Sequence, residues 1–251
     1  KQKTAYELSL GLVGSEMCIR DSFTDALSDL GVDYDYYEVP SDSDGPSSSV
    51  MSSYDHVIWT TGPDWSSGGT LTSTDQSELG TYLDGGGTLF LVGQDIFYDV
   101  GSGNSFMNNY MASEVETQDV GSVPSVKGVA GTIFEGVTYS LSYPYTAYPD
   151  TVYPYTGATG SEGNLTVYDY GSLTDHGSAI WHDATTYKTV FFAYPFEAIN
   201  TREDRKDCMY RVLKFLGYDF PPQVTIISPE DGSGTNQNSI TVTWNATDDY
   251  G

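Results

Sequence analysis

Residues 85–95, which read Gly-Gly-Gly-Thr-Leu-Phe-Leu-Val-Gly-Gln-Asp, constrain the fold of this chain more than any other stretch. A glycine triplet after a segment with helical spacing indicates a helix end and a tight turn, and the apolar residues 89–92 predict a buried strand. The strand ends at Gly93, so Gln94 and Asp95 stand just beyond its carboxyl end. Ligands of open α/β sheets bind at such ends. The sequence therefore places a site here, and these positions hold neither Cys nor Ser.

The pattern on either side of this strand predicts an α/β fold. Residues 32–39, 54–61 and 189–194 read as strands, and residues 23–30 and 201–216 as helices. A capping box with Ser73 at the N-cap and Gln76 three residues later predicts the helix that precedes the glycine triplet. Short connections between strand, helix and strand are typical of a parallel sheet. We expect a three-layer αβα sandwich with a mainly parallel sheet, centred on residues 89–92 and flanked by 57–60 and 190–193.

Two further segments have their own patterns. Residues 126–187 hold short Tyr-, Thr- and Val-rich runs between Gly, Pro and Asp, which predict extra antiparallel strands that include 151–155, 165–170 and 178–181. A short helix is expected at residues 106–111. In the last helix, Thr201 is the predicted N-cap, Gly217 the C′ residue, and Cys208 a small core side chain.

The two ends of the sequence differ from the rest. Residues 1–22 resemble a conceptual translation of sequencing-adapter DNA, so we interpret them as an artefact at the start of a metagenomic gene fragment. We expect them to pack poorly, or to take the place of a missing first strand through the apolar residues 8–13. Residues 219–251 follow a Pro-Pro boundary and read as strand, loop and strand with Trp244 facing inward, which predicts the truncated start of an immunoglobulin-like sandwich. Residues 23–218 are the main domain.

The charge balance excludes some partners and favours others. Thirty-five acidic and ten basic residues give a formal charge of −25, which leaves no basic surface for nucleic acid. No run of 18 apolar residues predicts a membrane span. Abundant Tyr, Gly, Ser, Thr and Asp with little Lys is a composition that we associate with secreted or cell-surface proteins. We therefore expect partners among other domains of the same polypeptide, or a carbohydrate or protein ligand.

Four segments together resemble the class I glutamine amidotransferase-like, or flavodoxin-like, superfamily. They are residues 54–59 (Tyr-Asp-His-Val-Ile-Trp), 79–87, 89–95 and 190–197 (Val-Phe-Phe-Ala-Tyr-Pro-Phe-Glu), followed by a final helix. The chain is most similar to the accessory domains of that superfamily in secreted bacterial and archaeal proteins, often peptidases with immunoglobulin-like repeats. The resemblance covers residues 23–218.

The resemblance implies a pocket without its usual catalytic residues. Active members carry a Cys in the turn after the strand matching residues 89–92, and a His-Pro-Glu segment after a later strand. Here the turn reads Gly93-Gln94-Asp95 and the later segment reads Tyr194-Pro195-Phe196-Glu197, so nucleophile and base are both absent. We expect Gln94, Asp95, Tyr194 and Glu197 to line a catalytically inactive pocket. The alternative is a hydrolase with an atypical active site near Asp95 and Glu197.

Other residues offer further chemistry. The pairs His182 with Asp183 and His176 with Asp175 could contribute to an acid/base or metal site. His56 lies within a predicted strand, where a packing role is usual. Asp95 and Glu197 are expected near each other at the carboxyl edge of the sheet. No cofactor is expected, although a divalent cation such as calcium could bridge this pair of carboxylates weakly.

Overall fold

The computed structural model describes residues 4–9, 15–39, 43–65, 69–221, 223–228 and 241–247. The chain divides into two compact units, Lys1–Leu216 and Gly217–Gly251. No helix in these described ranges is both long and apolar enough to cross a membrane. The predicted adapter origin of residues 1–22 and the predicted domain boundaries stay predictions.

The elements of the larger unit alternate between strands and helices in its first half and are mostly strands in its second. In chain order they are β1 Thr4–Ser9, α1 Ser15–Asp29, β2 Tyr34–Val39, α2 Ser48–Met51, β3 His56–Thr60, α3 Ser73–Asp84, β4 Thr88–Val92, α4 Ile96–Val100, α5 Ser105–Asn109, β5 Ser113–Thr117, β6 Ser125–Gly128, β7 Thr138–Ser140, β8 Thr151–Pro154, β9 Ser161–Tyr168, β10 Gly177–Asp183, β11 Lys188–Phe192 and α6 Arg202–Leu216. Short 3₁₀ turns occupy Gly171–Leu173 and Phe196–Ala198.

One mixed sheet of 11 strands joins these elements. Its main path is β2-β1-β3-β4-β11-β10-β9-β6-β7, and β8 pairs with both β10 and β5. Pairing is parallel from β2 to β11 and antiparallel from β11 onward. The apolar strand β4 lies between β3 and β11, so the predicted centre of the sheet is confirmed. The extra antiparallel strands predicted within residues 126–187 are also present.

Alternation of side chains along the central strands creates two apolar faces. On one face, Trp59, Leu91 and Phe191 belong to a buried cluster that includes residues of α3, α4 and α5. On the other, the Phe90 ring lies 4.9 Å from Phe192, and aromatic contacts continue through the turn after β11 to α1. Helix α1 packs against α6 on this second face. The predicted α/β fold class is confirmed, with helices on both sides of the sheet.

The last glycine of the triplet before β4, Gly87, is required by a tyrosine of α3. A Cβ at Gly87 would overlap the ring of Tyr82. The Tyr82 hydroxyl accepts a hydrogen bond from the backbone N–H of Thr88 at 3.2 Å, which fixes the ring over the turn. Gly86 has φ +95°, in the left-handed region that favours glycine. This close approach of helix and turn sets where β4 begins.

The N-cap of α3 is Thr72, so the predicted cap at Ser73 is wrong by one residue. Thr72 has extended backbone angles, and its hydroxyl accepts from the N–H of Asp75 at 3.1 Å. The carboxylate of Asp75 in turn accepts a hydrogen bond from the backbone N–H of Thr72 at 2.9 Å. An Asp at the third helical position closes the reciprocal pair as well as Glu or Gln does, because its carboxylate reaches the cap. The side chain of Gln76 instead donates to the carbonyl of Leu71.

The predicted features of the last helix are present. Thr201 accepts a hydrogen bond from the N–H of Asp204 at 3.0 Å, as an N-cap does, and Gly217 has φ +99°. Cys208 is buried, and burial raises the pKa of its thiol. At the other end of the chain, β1 takes the predicted place of a first strand, although it is formed by Thr4–Ser9 rather than by residues 8–13. Helix α4 had no counterpart in the sequence prediction.

The smaller unit contains two antiparallel strands, β12 Gln223–Ser228 and β13 Thr243–Thr247. Two strands agree with the predicted strand, loop and strand, while the immunoglobulin-like assignment stays a prediction. The side chain of Trp244 is 61% exposed, so its predicted inward orientation is wrong. The described part of this unit has no second sheet layer that would cover the ring.

Candidate functional site

The turn after β4 places its polar residues at the carboxyl edge of the sheet, as predicted. The N–H of Gly93 donates to the carbonyl of Phe192 at 3.1 Å and so extends the pairing with β11. A side chain at Gly93 would collide with Thr61 and Ile96, which explains the glycine. Both Gln94 and Asp95 are buried, and α4 begins directly after Asp95. The strand end therefore directs two polar side chains into the protein.

Gln94 holds a loop across this edge. Its amide nitrogen donates to the carbonyl of Thr146 at 3.0 Å, and its amide oxygen accepts from the N–H of Tyr148 at 3.0 Å. The side chain thus pairs with the loop as a peptide group of a neighbouring strand would. Both the donor end and the acceptor end of the Gln94 amide are thus engaged by the backbone of the loop.

The same loop covers Glu197. The hydroxyl of Tyr145 donates a short hydrogen bond to the Glu197 carboxylate. Burial raises the pKa of Glu197, and the bond from Tyr145 opposes that rise. Tyr194 is buried with its ring stacked on Phe192 at 4.9 Å, so it is part of the aromatic core. The loop that contains Tyr145 and Tyr148 therefore fills the place where the resemblance predicted a pocket.

An open cleft remains beside this loop. It measures about 280 Å³ and is lined by Trp65, Asp95, Tyr98, Asp119 and Tyr148. The rings of Trp65 and Tyr98 meet edge to face with centroids 6.2 Å apart. Of the four predicted pocket residues, Asp95 alone is among those lining this cleft. The sequence did not predict the other four residues at this site, because they lie in loops or a short helix at separate places along the chain.

Asp95 has an unusual environment for a carboxylate. Its side chain is 3% exposed, and its Oδ2 atom has no hydrogen-bond partner among the described residues. Burial raises the pKa of Asp95 to about 7, and the negative charges of Asp119 and Asp64 add to the rise, while Gln94 opposes it. Near neutral pH this carboxyl is therefore a mixture of protonated and ionised forms, as is typical of acid/base groups and of groups that bind cations.

A second buried carboxyl lies behind the first. Burial raises the pKa of Asp150 to about 8, with contributions from the charges of Asp95 and Asp119. One oxygen of Asp150 accepts from the N–H of Asp119 at 3.1 Å, and Asp119 itself has φ +56°. This bond fixes the strained turn that brings Asp119 to the cleft. The neighbours that raise the pKa of Asp95 are thus Asp119 and Asp64 rather than Glu197.

The histidines predicted as alternatives take other partners. His176 bonds Glu116 at 2.7 Å, whereas Asp175 pairs with Lys127. His182 is buried, and both its ring nitrogens face backbone carbonyls, those of Tyr110 and Thr159, at 2.9 and 3.0 Å. The cleft lining described above includes none of these side chains.

The packing role expected for His56 fits its surroundings. His56 is buried within β3, and its Nδ1 lies 2.7 Å from the hydroxyl of Thr88. Among the described residues, no group of three or more His, Cys, Asp or Glu side chains is placed to hold a metal ion. A weak cation shared by Asp95 and Glu197 stays a prediction.

Comparison with known proteins shows the fold. No protein-family model matches the sequence, and no curated protein sequence matches it. Among solved structures, a β-galactosidase from Bacillus circulans sp. alkalophilus is similar over 90% of this chain and 33% of its own, with a TM-score of 0.61 and 14% identity. The chain thus spans about a third of the length of that enzyme.

Two smaller proteins match over nearly their whole length. A putative ThuA-like protein from Bacteroides uniformis is 9% identical, with a TM-score of 0.56, and the match covers 86% of this chain and 91% of that one. The cytoplasmic protein STM1381 from Salmonella typhimurium is 11% identical, with a TM-score of 0.55, over 86% of this chain and 99% of that one. The structural neighbours therefore include ThuA-like proteins, which have a glutamine amidotransferase-like fold.

Proposed function

We propose that the main domain is a catalytically inactive, amidotransferase-like binding module of a secreted or cell-surface multidomain protein. The observation that carries the proposal is the loop at the carboxyl edge of the sheet. Gln94 binds the backbone of this loop, and Tyr145 covers Glu197, so the place of the family's chemistry is filled by protein. The cleft beside the loop, where Asp95 meets three aromatic rings, is the ligand site of this module.

The multidomain setting belongs to the same proposal. The similar β-galactosidase contains this fold as about a third of its chain, which is how an accessory domain occurs in a larger protein. The resemblance to domains attached to peptidases favours a peptidase elsewhere in the polypeptide, and the strongly acidic composition favours an extracellular location. Reading the complete gene tests this part. A secretion signal and an upstream peptidase domain are the expected result, and a gene that encodes this domain alone would contradict it.

A hydrolase is the second candidate function, and one observation favours it. Asp95 lies in a cleft with a pKa of about 7, which suits a general acid or base at neutral pH. Against it, the described lining of this cleft holds no Ser, Thr, Cys, Lys or His, and Asp119 is its one other carboxylate. Glu197, the second residue of this candidate site, is buried beneath Tyr145.

The two functions are separated by a turnover assay on the purified chain. Glutamine, ester, peptide and glycoside substrates are incubated with the wild type, with Asp95→Asn and with Asp84→Asn. Asp84 is an exposed carboxylate at the end of α3, before β4 begins. Asp84→Asn therefore makes the same charge change as Asp95→Asn, but at the opposite end of β4. We expect no product from any variant. Turnover that Asp95→Asn abolishes and Asp84→Asn retains would replace the binding module with the hydrolase.

A further inference from the structure

The lining of the cleft combines two kinds of groups that attract positive charge. Asp95 and Asp119 contribute carboxylates, and Trp65, Tyr98 and Tyr148 contribute aromatic rings. The three rings are 57%, 54% and 42% exposed, so their faces and edges are available to a ligand. None of the five described lining residues is basic. A ligand with a positive charge would therefore be attracted by the two carboxylates and by the faces of the rings.

The unpartnered oxygen of Asp95 adds a requirement for a hydrogen-bond donor. This Oδ2 atom is buried and accepts no hydrogen bond from the described residues, although the side chain lines the cleft. A buried carboxylate oxygen without a donor is costly, and a charged donor compensates it best. A quaternary ammonium ion has no N–H to donate. The ligand that satisfies both requirements is a cation with N–H groups.

We propose that this cleft binds a primary ammonium group on an alkyl chain, either a free alkylamine or a lysine side chain. The ammonium donates to Asp95 within reach of the charge of Asp119, and the methylene chain lies against the ring of Trp65 or Tyr98. A cleft of about 280 Å³ has room for such a group and several carbons. This inference rests on the proposed binding function and names the class of its ligand.

Two other ligand classes fit the cleft less well. A neutral sugar would stack on the rings and donate hydroxyls to Asp95, but it would leave the repulsion between Asp95 and Asp119 uncompensated. A bare divalent cation such as calcium takes about six to eight oxygen ligands. The described residues hold no group of three or more carboxylate, His or Cys side chains placed for a metal. The ammonium group needs one strong acceptor and aromatic surroundings, which are present.

The proton on Asp95 gives the ammonium site a pH signature. Burial together with Asp119 and Asp64 raises the pKa of Asp95 to about 7, and the charged forms of Asp150 and Tyr145 lie in the same electrostatic neighbourhood. Only the ionised carboxylate attracts the ammonium group strongly, so binding requires loss of this proton. Affinity for the amine therefore rises between pH 6 and pH 8. A neutral sugar, which donates to either form, would show a much smaller change.

Calorimetric titration of the full chain tests the inference with four probes. 1,5-Diaminopentane and Nα-acetyl-lysine amide carry the ammonium group in its free and side-chain forms. Tetramethylammonium supplies charge without a donor, and methyl β-galactoside supplies donors without charge. We expect both amines to bind at pH 8 at least tenfold more tightly than either control probe. At pH 6 we expect each amine to bind at least fivefold more weakly than it does at pH 8. The tighter of the two amines identifies the source of the group.

Three variants locate the binding. Asp95→Asn is expected to weaken binding of the two amines at least tenfold and to remove the pH dependence of that binding. Trp65→Ala, at the exposed rim, is expected to weaken amine binding severalfold. Asp84→Asn removes one charge far from the cleft and should change affinity less than twofold. This control is needed because a chain with a formal charge of −25 attracts cations everywhere.

Each contrary result has a distinct meaning. Equal losses of amine affinity in Asp95→Asn and Asp84→Asn would show that the amines are held by diffuse charge attraction, and would overturn the ammonium site. Absence of amine binding would also overturn it, and binding of the galactoside instead would do so while leaving the binding module intact. The proposed function fails separately, through the turnover assay, whatever the titrations show.

Discussion

Removing the charge of Asp95 should stabilise the protein at alkaline pH and not at acidic pH. The carboxyl has an ordinary pKa near 3.9 in an unfolded chain and about 7 in the folded state. Between these values the native state keeps a proton that the unfolded state has released. Stability therefore falls as pH rises from about 4 to about 7, and the whole penalty is present above pH 7. Asp95→Asn carries no such penalty.

The size of the effect follows from the difference between the two pKa values. About three pKa units at about 1.4 kcal/mol each give an upper limit near 4 kcal/mol. Because the cleft opens to solvent, which screens the charge, we expect about half of this limit, roughly 2 kcal/mol. A buried amide nitrogen at position 95 would add a penalty that does not depend on pH. The quantity to measure is therefore the change in the stability difference between pH 4.5 and pH 8.5.

Urea unfolding of the wild type, Asp95→Asn and Asp84→Asn at the two pH values measures this quantity. We expect the stability of Asp95→Asn relative to wild type to increase by about 2 kcal/mol from pH 4.5 to pH 8.5. Asp84→Asn should track the wild type, since the amide oxygen of Asn can still accept the hydrogen bond from the Tyr110 hydroxyl and the remaining change is one surface charge. A stability difference that is the same at both pH values would refute the claim that Asp95 is protonated in the native state near neutrality.

Three other substitutions test the loop and the turn. Gln94→Glu replaces the donor that binds the loop carbonyl by an acceptor, and we expect a loss of about 2–4 kcal/mol in urea unfolding. Tyr145→Phe removes the hydrogen bond to buried Glu197, with an expected loss of about 1–3 kcal/mol that grows as the pH rises through the raised pKa of Glu197, because an ionised carboxylate needs the donor more. Gly87→Ala places a methyl group in the ring of Tyr82, and a loss of more than about 2 kcal/mol should lower the melting temperature by several degrees.

Each of these has a matched control. Gln94→Met keeps the length of the side chain without a repulsive oxygen, and should cost less than Gln94→Glu; the reverse order would contradict the loop contact. Glu197→Gln combined with Tyr145→Phe should remove the pH dependence of the single Tyr145→Phe variant. Gly85→Ala lies in the same turn with right-handed angles and should cost less than half as much as Gly87→Ala. Equal losses at the two glycines would argue against the ring contact.

The sequence by itself determined the elements of the sheet and its centre. Apolar runs, caps and glycines act over a few residues, and they predicted β3, β4, β11 and α6 with small errors at the ends. The errors have local causes as well. Thr72 rather than Ser73 caps α3 because Asp75, one residue before the expected Gln76, reaches back to the cap. The position of Asp95 at the carboxyl edge followed from the end of β4 alone.

The tertiary structure decided what stands around Asp95. Gln94 is bound to a loop 52 and 54 positions away, and Tyr145 reaches Glu197 across 52 positions. No periodicity or motif encodes such pairings, because they depend on where a connection without regular structure crosses the sheet edge. The same holds for the pKa of Asp95, which is set by burial and by the distant carboxylates of Asp119 and Asp64. Local patterns fix strands and helices, whereas the chemistry of a cleft depends on which separate loops the completed fold brings together.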